Sequence, residues 1–298
     1  MKKLNIQFRY EKHIDLIFHV LAHMHVNNAS DLYSQEYVEK FKLLRNHKEL
    51  LIPYGLADYY NNHFNRLGMI NFLPFYSNAF DELKRLTLNY NGFTNEDTDF
   101  FVKPFLEICE SESDFYFNFW ENTIHTIKDE CVQAENILRE KLNLYRCIFE
   151  YYNRSALVLL SLSITRNGRG FSGIDNCFSA LIPFPKSLSQ IDNSFFILLH
   201  EYTHQITDEL LRTDINMDDG SHDISENVVI LFDFYLLKFL NKPDVEKYLK
   251  WIAEISGNTD NTISETTFLS VFNVDNSVKN KMRTLLYQII SKADGKFY

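Results

Sequence analysis

Residues 13–26, HIDLIFHVLAHMHV, place apolar side chains on nearly every side of a helical wheel, which predicts a buried helix. Ser30 or Asp31 then offers a cap for the amphipathic segment DLYSQEYVEKFKLLR. A further helix is expected over 98–110, and Ser113 with Asp114 can start another through FYFNFWENTIHTIKDE. ECVQAENILREKLNLYRCIFEYY continues the helical pattern, with apolar positions three and four apart. Near residue 155 the texture changes. SALVLLSLSI is short, apolar and free of Gly and Pro, as a buried strand would be. TRNGRGFSG holds three of the nine glycines and reads as a turn or loop. CFSALIPFP is a second strand, closed by Pro183 and Pro185 and more easily placed at a sheet edge than at its centre. Beyond 190 the pattern is helical to the end.

This order predicts an α+β chain, mainly α, with a small β-sheet ahead of the C-terminal helices. The one boundary the pattern offers lies near 150, dividing a helical region 1–150 from a second region 151–298.

The bulk numbers narrow the classes. A net charge of −10 without a basic block argues against a nucleic-acid partner. No apolar run approaches the roughly 18 residues of a membrane span, and the start carries no leader-like apolar stretch. Cysteines 109, 131, 147 and 177 have no short pairing, so neither a thiolate metal site nor a disulfide framework is expected. A soluble, cytoplasmic protein is the expectation.

Chemistry enters at FFILLHEYTHQITDELL, residues 195–211, where an apolar run carries His200, Glu201 and His204. Residues four apart stack on one helix face, so the two imidazoles point the same way and can share one ion. Glu201 flanks that face and can reach an ion-activated water without being a ligand. Asn193 or Ser194 is placed to cap the helix just before FFILL. Burial by Phe195, Phe196, Leu198 and Leu199 makes three unpaired polar groups expensive there, so they need a reason.

ILLHEYTHQI resembles the active-site helix of the zincin metallopeptidases, with uncharged Tyr202 and Thr203 inside the motif and Gln205 and Ile206 after it. The resemblance covers about a fifth of the chain. It implies Zn²⁺ as cofactor, His200 and His204 as ligands, Glu201 as general base, and a peptide or protein as substrate, within a zincin-like core. The metzincin continuation fails, because Thr207 and Leu210 stand where that branch has glycine and histidine. The gluzincin (thermolysin-like) branch takes a glutamate from the following helix, and Glu226 occupies that place in the first turn of DISENVVILFDFYLL. Glu226 also sits at capping-box spacing from Asp223, and His222, Asp223, Asp218 and Asp219 are neighbouring alternatives. The branch's supporting aspartate is absent, since Ile230 stands there, which leaves Asp233 or Asp208 to steady a histidine. His222 and Tyr235 are candidates for stabilising an oxyanion. The resemblance further implies an edge strand along the cleft, a role CFSALIP could fill with Phe178, Ser179, Ala180 and Leu181.

Two other features invite chemistry. His19, His23 and His25 form HVLAHMH on an apolar helix with no acidic residue among them, so buried, hydrogen-bonded histidines are expected rather than a metal site. Arg166 and Arg169 could meet a substrate carboxylate, but NGRG matches no phosphate-binding fingerprint. The sequence reading is a zinc metallopeptidase with no nucleic-acid or membrane partner. The alternatives are a silent zincin-fold scaffold and a helical module whose HEYTH is coincidence.

Overall fold

The computed structural model describes residues 4–27, 33–172, 176–185, 187–211, 221–257 and 262–293, with side chains 172, 208–211, 221–223 and 293 left out. The elements run β1 (Ile6–Arg9), α1 (Lys12–His23), α2 (Gln35–Leu44), α3 (Leu56–Asn62), α4 (Phe80–Leu88), α5 (Lys103–Thr126), α6 (Lys128–Leu144) and α7 (Cys147–Tyr152). There follow β2 (Ser155–Ser161), β3 (Arg169–Ser172), β4 (Cys177–Pro183), α8 (Ile191–Leu211), α9 (Ser221–Leu240), α10 (Lys242–Ile255), α11 (Glu265–Val271) and α12 (Asn276–Ala293). The fold is α+β and mainly helical, with one small mixed sheet.

The described chain forms two compact units, and their division is not a single cut near 150. One unit comprises 1–9, 132–159 and 169–298; the other comprises 10–131 and 160–168. No helix among the described residues is long and apolar enough to cross a membrane. No disulfide joins the four cysteines.

The first unit is built on a sheet of order β1-β2-β4-β3, with β1 parallel to β2 and β3 antiparallel to β4. Three expectations change here. Residues 6–9, unread as a strand, pair Ile6 with Ala156 through Arg9 with Leu159. The glycine-rich segment expected as a loop contains β3, and β3 is a sheet edge. CFSALIP is therefore not an edge: β4 lies between β2 and β3, with both backbone sides engaged. Strand order depends on pairing across distant segments, which local composition does not encode.

α8 starts at Ile191, earlier than expected. Ser194 is not its cap but donates from inside the helix to the Pro183 carbonyl at 3.2 Å. Phe195, Phe196, Leu198 and Ile206 are fully buried, so the rotation of α8 about its axis is fixed by packing.

In the second unit α5 runs through Ser113 and Asp114 without a break. The hydroxyls of Ser111 and Ser113 bond back to the carbonyls of Ile108 and Glu110 instead of capping a new helix. Asp15 of α1 anchors this unit. Its carboxylate accepts from Trp120 Nε1 at 2.8 Å, the Leu162 amide at 3.0 Å and the hydroxyls of Ser161 and Ser163. His19 is fully buried, with Nδ1 at 2.9 Å from the Tyr37 hydroxyl and Nε2 at 3.1 Å from Glu112, which also pairs with Arg45. His23 Nδ1 lies 2.8 Å from the His19 carbonyl, and His25 is an exposed residue past the helix end. His19 and His23 are thus buried, hydrogen-bonded histidines as expected, and His25 is not.

Replacing Asp15 with Ala would strand several buried donors, and we expect a loss of about 3 kcal/mol or more in urea unfolding. Burial lowers the pKa of His13, His19 and His23 from 6.5, that of His23 to about 4. The unfolded chain therefore takes up these protons first as pH falls, and stability should drop between pH 6.5 and 4. Denaturation curves across that range should flatten in His23→Gln.

Candidate metal centre

α8 packs on β3 and β4 on one side and against α9 on another. Its polar side chains divide accordingly. Tyr202 donates to the Leu157 carbonyl of β2 at 3.2 Å, and Gln205 donates to the Ser179 carbonyl of β4 at 3.1 Å. Glu201 Oε2 accepts the Gly170 amide of β3 at 2.5 Å. Thr203 and His200 turn instead toward α9, where Thr203 donates to Asp233 Oδ1 at 2.5 Å.

The histidine face meets α9 at Glu226. His200 Nε2 and His204 Nε2 are 3.0 Å apart. Glu226 Oε2 lies 3.2 Å from the first, and Oε1 lies 3.3 Å from the second. Three donors with these separations fit the edges of a tetrahedron, since bonds of about 2.05 Å to a central ion give edges of about 3.3 Å. Among the described residues this is the one group of three His, Cys, Asp or Glu side chains close enough to hold an ion. All three are partly exposed, which keeps a solvent-facing side available to a further ligand.

Burial disfavours a charge on Glu226, yet hydrogen bonds from His200 and His204 overrule it and hold the carboxyl well below its usual range. The side chain is thus a carboxylate facing two imidazole nitrogens. Glu226 lies in the second turn of α9 rather than its first, because the helix begins at Ser221. Its carboxylate faces the two histidines across the helix pair.

Behind His200 stands Asp233. Its Oδ2 is 3.8 Å from His200 Nδ1, and both atoms are buried without a hydrogen bond. A small closing movement would satisfy both and fix the imidazole with Nε2 toward His204 and Glu226. Burial pushes Asp233 up to about 7, partly opposed by His200 and by the Thr203 hydroxyl. Helical arithmetic explains its place: seven residues beyond Glu226 amount to almost two full turns, so both share one face.

The remaining expectations divide. Tyr235, nine residues beyond Glu226, falls half a turn away on the opposite face of α9 and contacts Phe234. Asp208 and His222 have side chains outside the described set, as has Asp223, and Asp218 and Asp219 lie outside the described residues. Phe178, Ser179, Ala180 and Leu181 are buried in the interior strand β4, so no substrate backbone can pair there. Arg169 belongs to β3, and Arg166 to the other unit. The residue missed entirely is Gly170, whose amide holds Glu201. Its signal was the glycine-rich stretch before a strand.

No family model matches this chain, and no curated protein or solved structure matches it either. The cluster stands on its own geometry.

We expect the chain to bind one divalent ion, measured by metal analysis and by titration after chelator treatment, and His204→Ala to abolish stoichiometric binding. Asp233→Asn should weaken binding by roughly ten- to a hundredfold while leaving the stoichiometry intact.

Proposed function

We propose that the chain is a zinc-dependent hydrolase of peptide bonds, a zincin of the gluzincin type, acting on a peptide or protein. The observation that carries the reading is the convergence of His200, His204 and Glu226 at separations of 3.0–3.3 Å, with the carboxylate of the intervening Glu201 held beside a sheet edge. Two imidazoles and one carboxylate suit zinc, and three protein ligands are the number that leaves a position open for chemistry. Bound there, Zn²⁺ would supply Lewis acidity that polarises a carbonyl and lowers the pKa of water.

The chain's own groups would do the rest. His200 and His204 would hold the ion through their Nε2 atoms together with Glu226, and Asp233 would steady the first of them from behind. Gly170 engages Glu201 Oε2, so Oε1 is the oxygen that takes a proton from the attacking water and later returns it to the leaving amine. β3 supports a peptide substrate: it is the strand at the sheet edge next to Glu201, and an extended backbone could add to it by main-chain pairing. This moves the substrate-binding role from β4, where the sequence placed it, to β3. Composition keeps a cytoplasmic location part of the proposal, with no nucleic-acid or membrane partner.

The deciding experiment compares wild type with Glu201→Gln on a peptide library, with metal content measured in both. The hydrolase reading expects zinc in each and a loss of kcat of about a thousandfold or more in the variant. Equal activity would refute it. Zinc bound without any cleavage would favour a silent scaffold of the same fold, and no zinc at all would mean that the motif is coincidental.

A further inference from the structure

We propose that Gly170 is the positioning residue for Glu201, and that its lack of a side chain is what makes the arrangement possible. The inference rests on the hydrolase reading. Two separate observations carry it. The first is the hydrogen bond: the Gly170 amide donates to Glu201 Oε2 at 2.5 Å, across the gap between edge strand β3 and helix α8. A backbone donor on a sheet is a rigid partner, and its bond to a carboxylate is charge-assisted. The second is the space. A Cβ built on Gly170 would stand 2.8 Å from the Glu201 backbone carbonyl and 3.1 Å from its Oε2. The carbonyl belongs to a buried, packed helix and cannot give way, so any side chain at 170 must push the strand outward. The residue type is dictated by close backbone approach, and what the approach delivers is the amide at the carboxylate.

The consequence is a division of labour within one carboxylate. β3 fixes Oε2, and the fixed Oε2 sets where Oε1 points. Gln205 holds the adjoining strand one turn along, through the Ser179 carbonyl, so β3 and β4 are both referenced to the same helix. A proton-transferring oxygen needs placement to within a fraction of an ångström, and side-chain rotamers of a half-exposed glutamate would not supply it.

Gly170→Ala tests this in the full chain loaded with zinc. The expected result is a kcat lower by roughly ten- to a hundredfold, with KM within about twofold and one zinc per chain retained. A role in strand packing alone would lower thermal stability and leave kcat per folded, zinc-loaded molecule unchanged, and that result overturns the inference. Because the added methyl could prevent folding, a second measurement leaves Gly170 in place. Amide hydrogen exchange of Gly170, followed by NMR, should accelerate at least about tenfold in Glu201→Ala while the amides of β4 keep their protection. Unchanged exchange at Gly170 also overturns the inference. Wild-type protein that holds no zinc and cleaves nothing overturns the hydrolase reading and this inference with it. An active wild type with an indifferent Gly170→Ala overturns the inference alone.

Discussion

Two imidazole nitrogens held 3.0 Å apart on a helix that cannot rotate set the terms for the rest of this structure. Phe195, Phe196, Leu198 and Ile206 are buried to completion, and turning α8 to separate the histidines from Glu226 would expose them. Each large apolar side chain contributes about 1.5–3 kcal/mol on burial, several times what a partly exposed polar contact returns. The apolar face therefore decides the orientation, and the polar groups take the positions left to them. His200, His204 and Glu226 face each other because the core leaves no other arrangement.

His200 Nε2, His204 Nε2 and the Glu226 carboxylate lie close enough together that one cation could be shared among them. Asp233 adds to the case from the other side, being a fully buried acid whose Oδ2 faces the unsatisfied Nδ1 of His200. Buried polar atoms left 3.8 Å apart carry an energetic cost that ligand binding could relieve, which links the burial of α9 to the chemistry proposed for α8.

Much of this centre was legible in the sequence, and the reasons are periodicities. A spacing of four put His200 and His204 on one face, and a helix beginning downstream supplied Glu226. Asp233 was readable as a companion of Glu226 because seven residues return to the same face, and by the same rule Tyr235 falls on the opposite face of α9. What resisted reading was everything that depends on chain segments meeting from afar. β1 is four residues long and pairs with a strand far downstream; β3 is equally short and rich in glycine. Neither carries a periodic signal of useful length. The interior place of β4 is a property of strand order, and the acid beside His19 comes from α5, 93 positions away. Ser113 and Asp114 looked like a helix start because serine and aspartate compete for backbone groups; in α5 the serine bonds backward along the helix.

The parallel pairing of β1 with β2 has a temporal consequence. Ile6 meets Ala156, so the first strand leaves the ribosome about 150 residues before its partner exists. Closing a flexible loop of that length costs about 4 kcal/mol in chain entropy, and the whole helical stretch from Lys12 onward is synthesised in the interval. The other unit waits as well, because its segment 160–168, which brings the Ser161, Leu162 and Ser163 donors to Asp15, follows directly on β2. His200, His204 and Glu226 all lie downstream of β2, so α8 and α9 can bring them together only after the pairing of β1 with β2 has become possible.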